Sequence, residues 1–120
     1  MIKLNHKKLD VWKVSIEMSI SIYRLTQNFP QHELYGLVSQ LRRAAISVCS
    51  NLSEGSARSS KKERNRFYEI ARSSIVEIDT QLLIARKLGY IKESDLLEVS
   101  ELLNKTFAMN SNLIRRNYKD

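Results

Sequence analysis

Apolar residues recur with a period of 3.6 in four long segments of this chain. The interruptions between segments are short: Asn28-Phe29-Pro30, Gly55-Ser56-Ala57-Arg58-Ser59, and Gly89-Tyr90. A stripe of that period is one face of an α-helix. Connections this short make consecutive helices pack antiparallel. The pattern therefore predicts an all-α fold, an antiparallel up-down-up-down four-helix bundle over residues 9–118, preceded by a basic N-terminal arm at 1–8. Composition closes the main alternative. Three glycines and one proline in 120 residues are too few for the turns of a β fold. No apolar run approaches the length of a membrane span, and the N-terminus has no signal-peptide core. The single cysteine, Cys49, lies in a helical stripe with Ala45 and Leu52 and reads as a buried, inert thiol. With neither disulfide nor leader, the expected compartment is the cytoplasm.

Local signals set the expected boundaries. Helix 1 runs from about Asp10, a candidate N-cap, to Gln27, and Pro30 prevents its continuation. Helix 2 is expected as one element from Gln31 to Glu54. Its core stripe is Leu34, Leu37, Val38, Leu41, Ala45, Val48, Cys49 and Leu52, with Gly55 as a left-handed C-cap. Helix 3 opens on the capping box Ser60-Lys61-Lys62-Glu63 and carries Phe67, Ile70, Ala71, Ser74, Ile75, Ile78, Leu82, Ala85 and Leu88 inward. Helix 4 spans about Glu93 to Asn117, with acids in its first turns and Arg115 and Arg116 in its last, both favourable to the helix dipole. Its stripe is Leu96, Val99, Leu103, Thr106, Phe107 and Ile114.

Helix 1 carries more apolar surface than one bundle can cover. Val11, Val14, Met18, Ile22, Leu25 and Phe29 fill one face, and Trp12, Ile16, Ile20 and Tyr23 extend it around a second. The uncharged arc is about 240°, where a helix on a single core needs little more than about 100°. Smaller second patches occur at Tyr35 and Ile46 and at Val76 and Leu83. A strip of four large residues predicts a homo-oligomer with Trp12, Ile16, Ile20 and Tyr23 in the contact.

No catalytic constellation and no cofactor site is expected. His6 and His32 have no metal-spacing partner, no glycine-rich phosphate loop exists, and no serine has a suggestively placed histidine. Charge is the remaining signal. Twenty Lys and Arg against thirteen Asp and Glu give a net charge of +7. The densest basic stretch, Arg58, Lys61, Lys62, Arg64 and Arg66, opens helix 3, and Arg42-Arg43 lies on helix 2. These residues are candidate phosphate contacts to RNA or DNA, weakly sequence-specific because no base-reading pattern accompanies them. Glu54 sits at a helix C-terminus, where the dipole disfavours an anion; either it is solvated, or a cation offsets the cost, with Arg58, Arg43 of a neighbour or the Lys61 region as candidates. Two classes of function stay open: a nucleic-acid-binding accessory protein, or a structural, protein-interaction oligomer whose charge only keeps it soluble.

The residues also resemble a family. Leu9-Asp10-Val11-Trp12, Phe29-Pro30-Gln31-His32-Glu33-Leu34-Tyr35-Gly36-Leu37, Gln40-Leu41-Arg42-Arg43-Ala44-Ala45 and Asn51-Leu52-Ser53-Glu54-Gly55 are similar to bacterial four-helix-bundle proteins first noticed as products of intervening sequences in 23S ribosomal RNA genes. The likeness covers about residues 9–114. Leu52-Ser53 stands where the family usually has Ile-Ala, and Ser73 where it often has Gly. The resemblance implies a homopentamer and a similarity to the accessory protein of diversity-generating retroelements, which binds nucleic acid and a reverse transcriptase. It carries Arg42 and Arg43 over as phosphate contacts or as intersubunit partners of Glu54.

Overall fold

The computed structural model describes residues 1–4 and 9–119; His6 and part of the expected basic arm lie outside them. Four helices follow one another: α1 (Asp10–Thr26), α2 (Ser39–Ser56), α3 (Lys61–Lys87) and α4 (Glu93–Lys119). The described residues contain no strand. Each helix packs on its sequence neighbours, and α1 closes the ring against α4. Contacts between elements run antiparallel. Ser47 meets Ser74 at 2.9 Å and Gln40 meets Gln81 at 3.2 Å across α2 and α3. The result is a four-helix bundle of 45 × 29 × 20 Å, as the apolar period predicts.

The core is lined by Met18, Ile22, Leu41, Leu52, Ile75 and Ile78, all essentially inaccessible. Helices α1 and α2 approach closely because small residues face each other. The Ser19 hydroxyl donates to the Ala45 carbonyl at 3.2 Å and lies 3.1 Å from the buried Cys49 sulfur.

The inward faces differ in detail from the sequence stripes. Leu34, Ile70, Leu88 and Phe107 are exposed, and Phe67 is half-buried. Tyr68 takes the expected inward place on α3, and polar Asn65, Gln81 and Asn110 are buried where apolar residues would be looked for. Helix α3 is gripped on two sides, by α2 and α4, so its covered sector is wider and turned relative to a single apolar stripe. Asparagines join α3 to α4. The Asn110 amide donates to the Tyr68 carbonyl at 3.1 Å. That of Asn117 donates to Asn65 Oδ1 at 2.8 Å and to the Lys61 carbonyl at 3.3 Å.

Three end signals are corrected. Asp10 is the first helical residue of α1; Leu9 holds the cap position and supplies no side-chain bond. Asp10 still favours the helix through the dipole. The chain from Gln31 does not enter one continuous helix. A 3₁₀ turn at Gln31–Glu33 and a π turn at Leu34–Val38 precede α2. The break falls at Gly36, whose φ −112° and ψ −112° are not helical. The Glu33 carboxylate accepts the Leu37 N–H at 3.3 Å and lies 2.6 Å from where a Cβ on residue 36 would stand. Gly55 is not a left-handed cap but a helical residue inside α2, packed against the Tyr68 ring. The left-handed cap falls at Gly89, with φ +82°. There the Tyr90 N–H bonds the Ala85 carbonyl and the Gly89 N–H bonds that of Arg86, the double bond of a Schellman motif. Ser60 caps α3 by accepting the Glu63 N–H, while the Glu63 carboxylate turns to Arg66 and leaves the other half of the box unmade.

The end bearing the Gly89 turn is tied across the bundle. The Tyr90 hydroxyl donates to Glu33 Oε2 at 2.9 Å, and its ring lies 5.6 Å from that of Phe29. The Glu33 hydrogen bond, followed by burial and the carboxylate's charge, pushes the Tyr90 phenol above its usual pKa.

Candidate nucleic-acid interface

The antiparallel arrangement gathers the end of α2, the start of α3, the end of α4 and the start of α1 at one end of the bundle. The two ends differ in charge. Residues 9–17, 50–72 and 107–119, which form this end, hold ten Lys and Arg against five Asp and Glu. Residues 18–49 and 73–106, which form the other, hold seven of each. The net charge of the helical body therefore collects at one pole.

Several cations of the pole serve the fold. Arg58 pairs with Glu54 at 3.1 Å, so the first of the three cations considered for Glu54 meets it, one turn away. Arg66 pairs with Glu63 at 3.1 Å. The Arg58 and Arg66 guanidinium groups lie 4.8 and 4.5 Å from the Phe67 ring centroid, a cation–π arrangement that keeps this aromatic covered. Arg64 donates to the Arg58 and Ser59 carbonyls at 3.1 and 2.9 Å, holding the turn between α2 and α3. Burial raises the Tyr68 phenol pKa, and the Arg64 charge nearby pulls it partly back.

Arg72 pairs with Glu69 at 3.7 Å. Lys13, Lys61, Lys62, Arg115, Arg116 and Lys119 make no ion pair with any described residue. The last three line an open cleft of about 560 Å³ between the start of α1 and the end of α4, with Asp10, Asn112 and Leu113. Lys61, Lys62 and Arg66 line a second hollow of about 410 Å³ with Tyr118. Arg115, Arg116 and Lys119 follow the Lys61 region by some fifty residues in sequence and adjoin it only through the pairing of α3 with α4. Tyr118, 74 % exposed, was not among the sequence candidates. An aromatic one residue from the last basic position was the available signal.

Arg42 and Arg43 are not part of this pole. Arg42 lies at the opposite end and fastens α2 to α1. Its guanidinium donates to the Thr26 hydroxyl at 3.0 Å and to the Tyr23 carbonyl at 3.2 Å, and sits 4.6 Å from the Tyr23 ring centroid. This cation satisfies a terminal carbonyl of α1, where the dipole also favours it. Arg43 is exposed and makes no ion pair with a described residue.

The apolar strip on α1 is graded. Trp12 and Ile16 are half-buried, while Ile20 and Tyr23 are exposed. Ile46, Val76 and Leu83, the second patches of α2 and α3, are each about half exposed. Among the described residues no group of three or more His, Cys, Asp or Glu is placed to hold a metal ion, and no helix is long and apolar enough to cross a membrane.

Fold and surface thus define a four-helix-bundle protein whose charge is concentrated at one end. A family model for 23S rRNA-intervening sequence proteins matches residues 7–112, and the chain belongs to that family. No curated protein matches it.

Proposed function

We propose that this family member is a homo-oligomeric, cytoplasmic protein that binds RNA through its phosphates and catalyses no reaction. The observation that carries the reading is the collection of unpaired cations, Lys61, Lys62, Arg115, Arg116 and Lys119, at one pole of a rigid bundle. Phosphate contact by Lys and Arg releases counterions and supplies most sequence-independent affinity. The family's name, which ties it to intervening sequences of 23S rRNA, is compatible with an RNA target. Self-association is supported by the exposed part of the α1 strip, Ile20 with Tyr23, and would present several poles to one RNA. Five copies, and a reverse transcriptase as protein partner, rest on the resemblance to the retroelement accessory protein alone.

The test is fluorescence anisotropy with labelled RNA, beside sedimentation equilibrium. Affinity should fall steeply between about 50 and about 200 mM salt. Gln at Lys61, Lys62, Arg116 and Lys119 together should weaken binding and flatten the salt slope while leaving the assembly intact. Ile20→Asp should dissociate the assembly, since it places a charge in an apolar contact; it is preferred to Trp12→Asp because Trp12 also packs on the core. Absence of RNA binding at low salt leaves the structural-oligomer reading in its place.

A further inference from the structure

Tyr118 is the most exposed aromatic of the basic pole. Tyr68 there is buried and Trp12 packs on the core, while Phe67 is covered by two guanidinium groups. Tyr118 is 74 % exposed and lines one hollow with Lys61, Lys62 and Arg66. Its backbone is fixed. The neighbouring Asn117 amide is bonded to Asn65 and to the Lys61 carbonyl, which pins the last turn of α4 to the first turn of α3. The two carboxylates in the hollow, Glu63 and Glu69, are each paired with an arginine, Arg66 and Arg72. A flat ring held among unpaired ammonium groups is the arrangement that receives a nucleobase on its face while cations take the flanking phosphates. A base within a duplex has both faces covered by its neighbours and cannot stack on a side chain without being unpaired or extruded.

We infer that the basic pole selects single-stranded over double-stranded nucleic acid, with Tyr118 stacking an unpaired base between phosphate contacts of Lys61 and Lys62. This rests on the proposal that the pole binds RNA, and the experiment separates the two. Labelled RNAs of equal length and mixed sequence, one single-stranded and one a perfect duplex, are titrated with the full chain at low salt. The single strand should bind about tenfold more tightly than the duplex. Tyr118→Ala should remove about tenfold from the single strand and leave the duplex unchanged. Tyr118→Phe, which keeps the ring and loses the hydroxyl, should match the wild type. If neither RNA binds, the functional proposal itself fails. If both bind with equal affinity, or if Tyr118→Ala weakens both equally or neither, the pole reads phosphates alone and the inference is overturned. Sedimentation of Tyr118→Ala as the wild-type species shows that any loss is not one of assembly.

Discussion

Replacing Gly55 by alanine sets two magnitudes of opposite sign against each other. In a helix interior alanine is favoured over glycine by about 0.8–1 kcal/mol. On backbone conformation alone, Gly55→Ala should therefore stabilise α2. The surroundings oppose it. A Cβ on residue 55 would lie 2.6 and 2.8 Å from Cε1 and Cδ1 of Tyr68, and 3.1 Å from the Arg64 carbonyl oxygen. Ordinary contact between carbons is about 3.5–4.0 Å, so α2 and α3 would have to part locally by about 1 Å. The Tyr68 ring is 3 % exposed and has no free space to enter. Overpacking of this kind costs about 1–3 kcal/mol, which leaves a net loss of up to about 2 kcal/mol. In a chain of this size each 1 kcal/mol lost lowers Tm by roughly 3–6 °C. The assay is urea unfolding followed by circular dichroism at a fixed protein concentration. In a Tyr68→Val background, which has no atom beyond Cγ, the same alanine should instead stabilise. A higher midpoint for Gly55→Ala in the otherwise wild-type chain would show that the close approach of α2 to α3 is wrong.

Arg42→Ala removes two hydrogen bonds and a cation–π contact between α1 and α2 and should cost about 1–2 kcal/mol in urea unfolding. Arg42→Lys should not restore the loss, because a lysine lacks the planar fork. RNA affinity should stay within about twofold in both variants, since one charge far from the basic pole contributes little through screening salt. Tyr90→Phe tests the tie between the Gly89 turn and Glu33. The folded state holds the Tyr90 proton more tightly than the unfolded chain, so its contribution is whole below the ordinary value of 10.0 and is lost as pH rises through the higher folded value. The gap between wild type and Tyr90→Phe in unfolding midpoint should be flat below pH 10.0 and close above it; a gap that widens in alkali refutes the assignment.

The helices, their order and their antiparallel pairing were legible because a 3.6 period is local and repeated. What escaped depends on tertiary approach. Gly55 looks like a cap because a glycine after an apolar stripe ends many helices; its use here is the missing Cβ opposite Tyr68. Gly36 and Glu33 make a break that no periodicity announces. Asn65, Gln81 and Asn110 look solvent-facing by type and are buried because partners on α2 and α4, or backbone carbonyls, receive them. The cluster at 58–66 was visible as a run. Its union with Arg115, Arg116 and Lys119 was not, although the topology expected from the sequence already places the end of helix 4 beside the start of helix 3.

Two rods of 27 residues could in principle slide along each other by whole turns and still bury apolar surface, since leucines and isoleucines are nearly interchangeable as knobs. The asparagines between α3 and α4 remove that freedom. A slide of one turn, about 5.4 Å, would carry Asn110 off the Tyr68 carbonyl and Asn117 off Asn65 and Lys61 together, leaving the buried amides of Asn110 and Asn65 unbonded at about 1–3 kcal/mol each. The same amides fix how far α4 reaches past α3. The position of Tyr118 over the basic pole is thus measured out by amides wedged between the two helices, Asn65 and Asn110 buried and Asn117 half-buried.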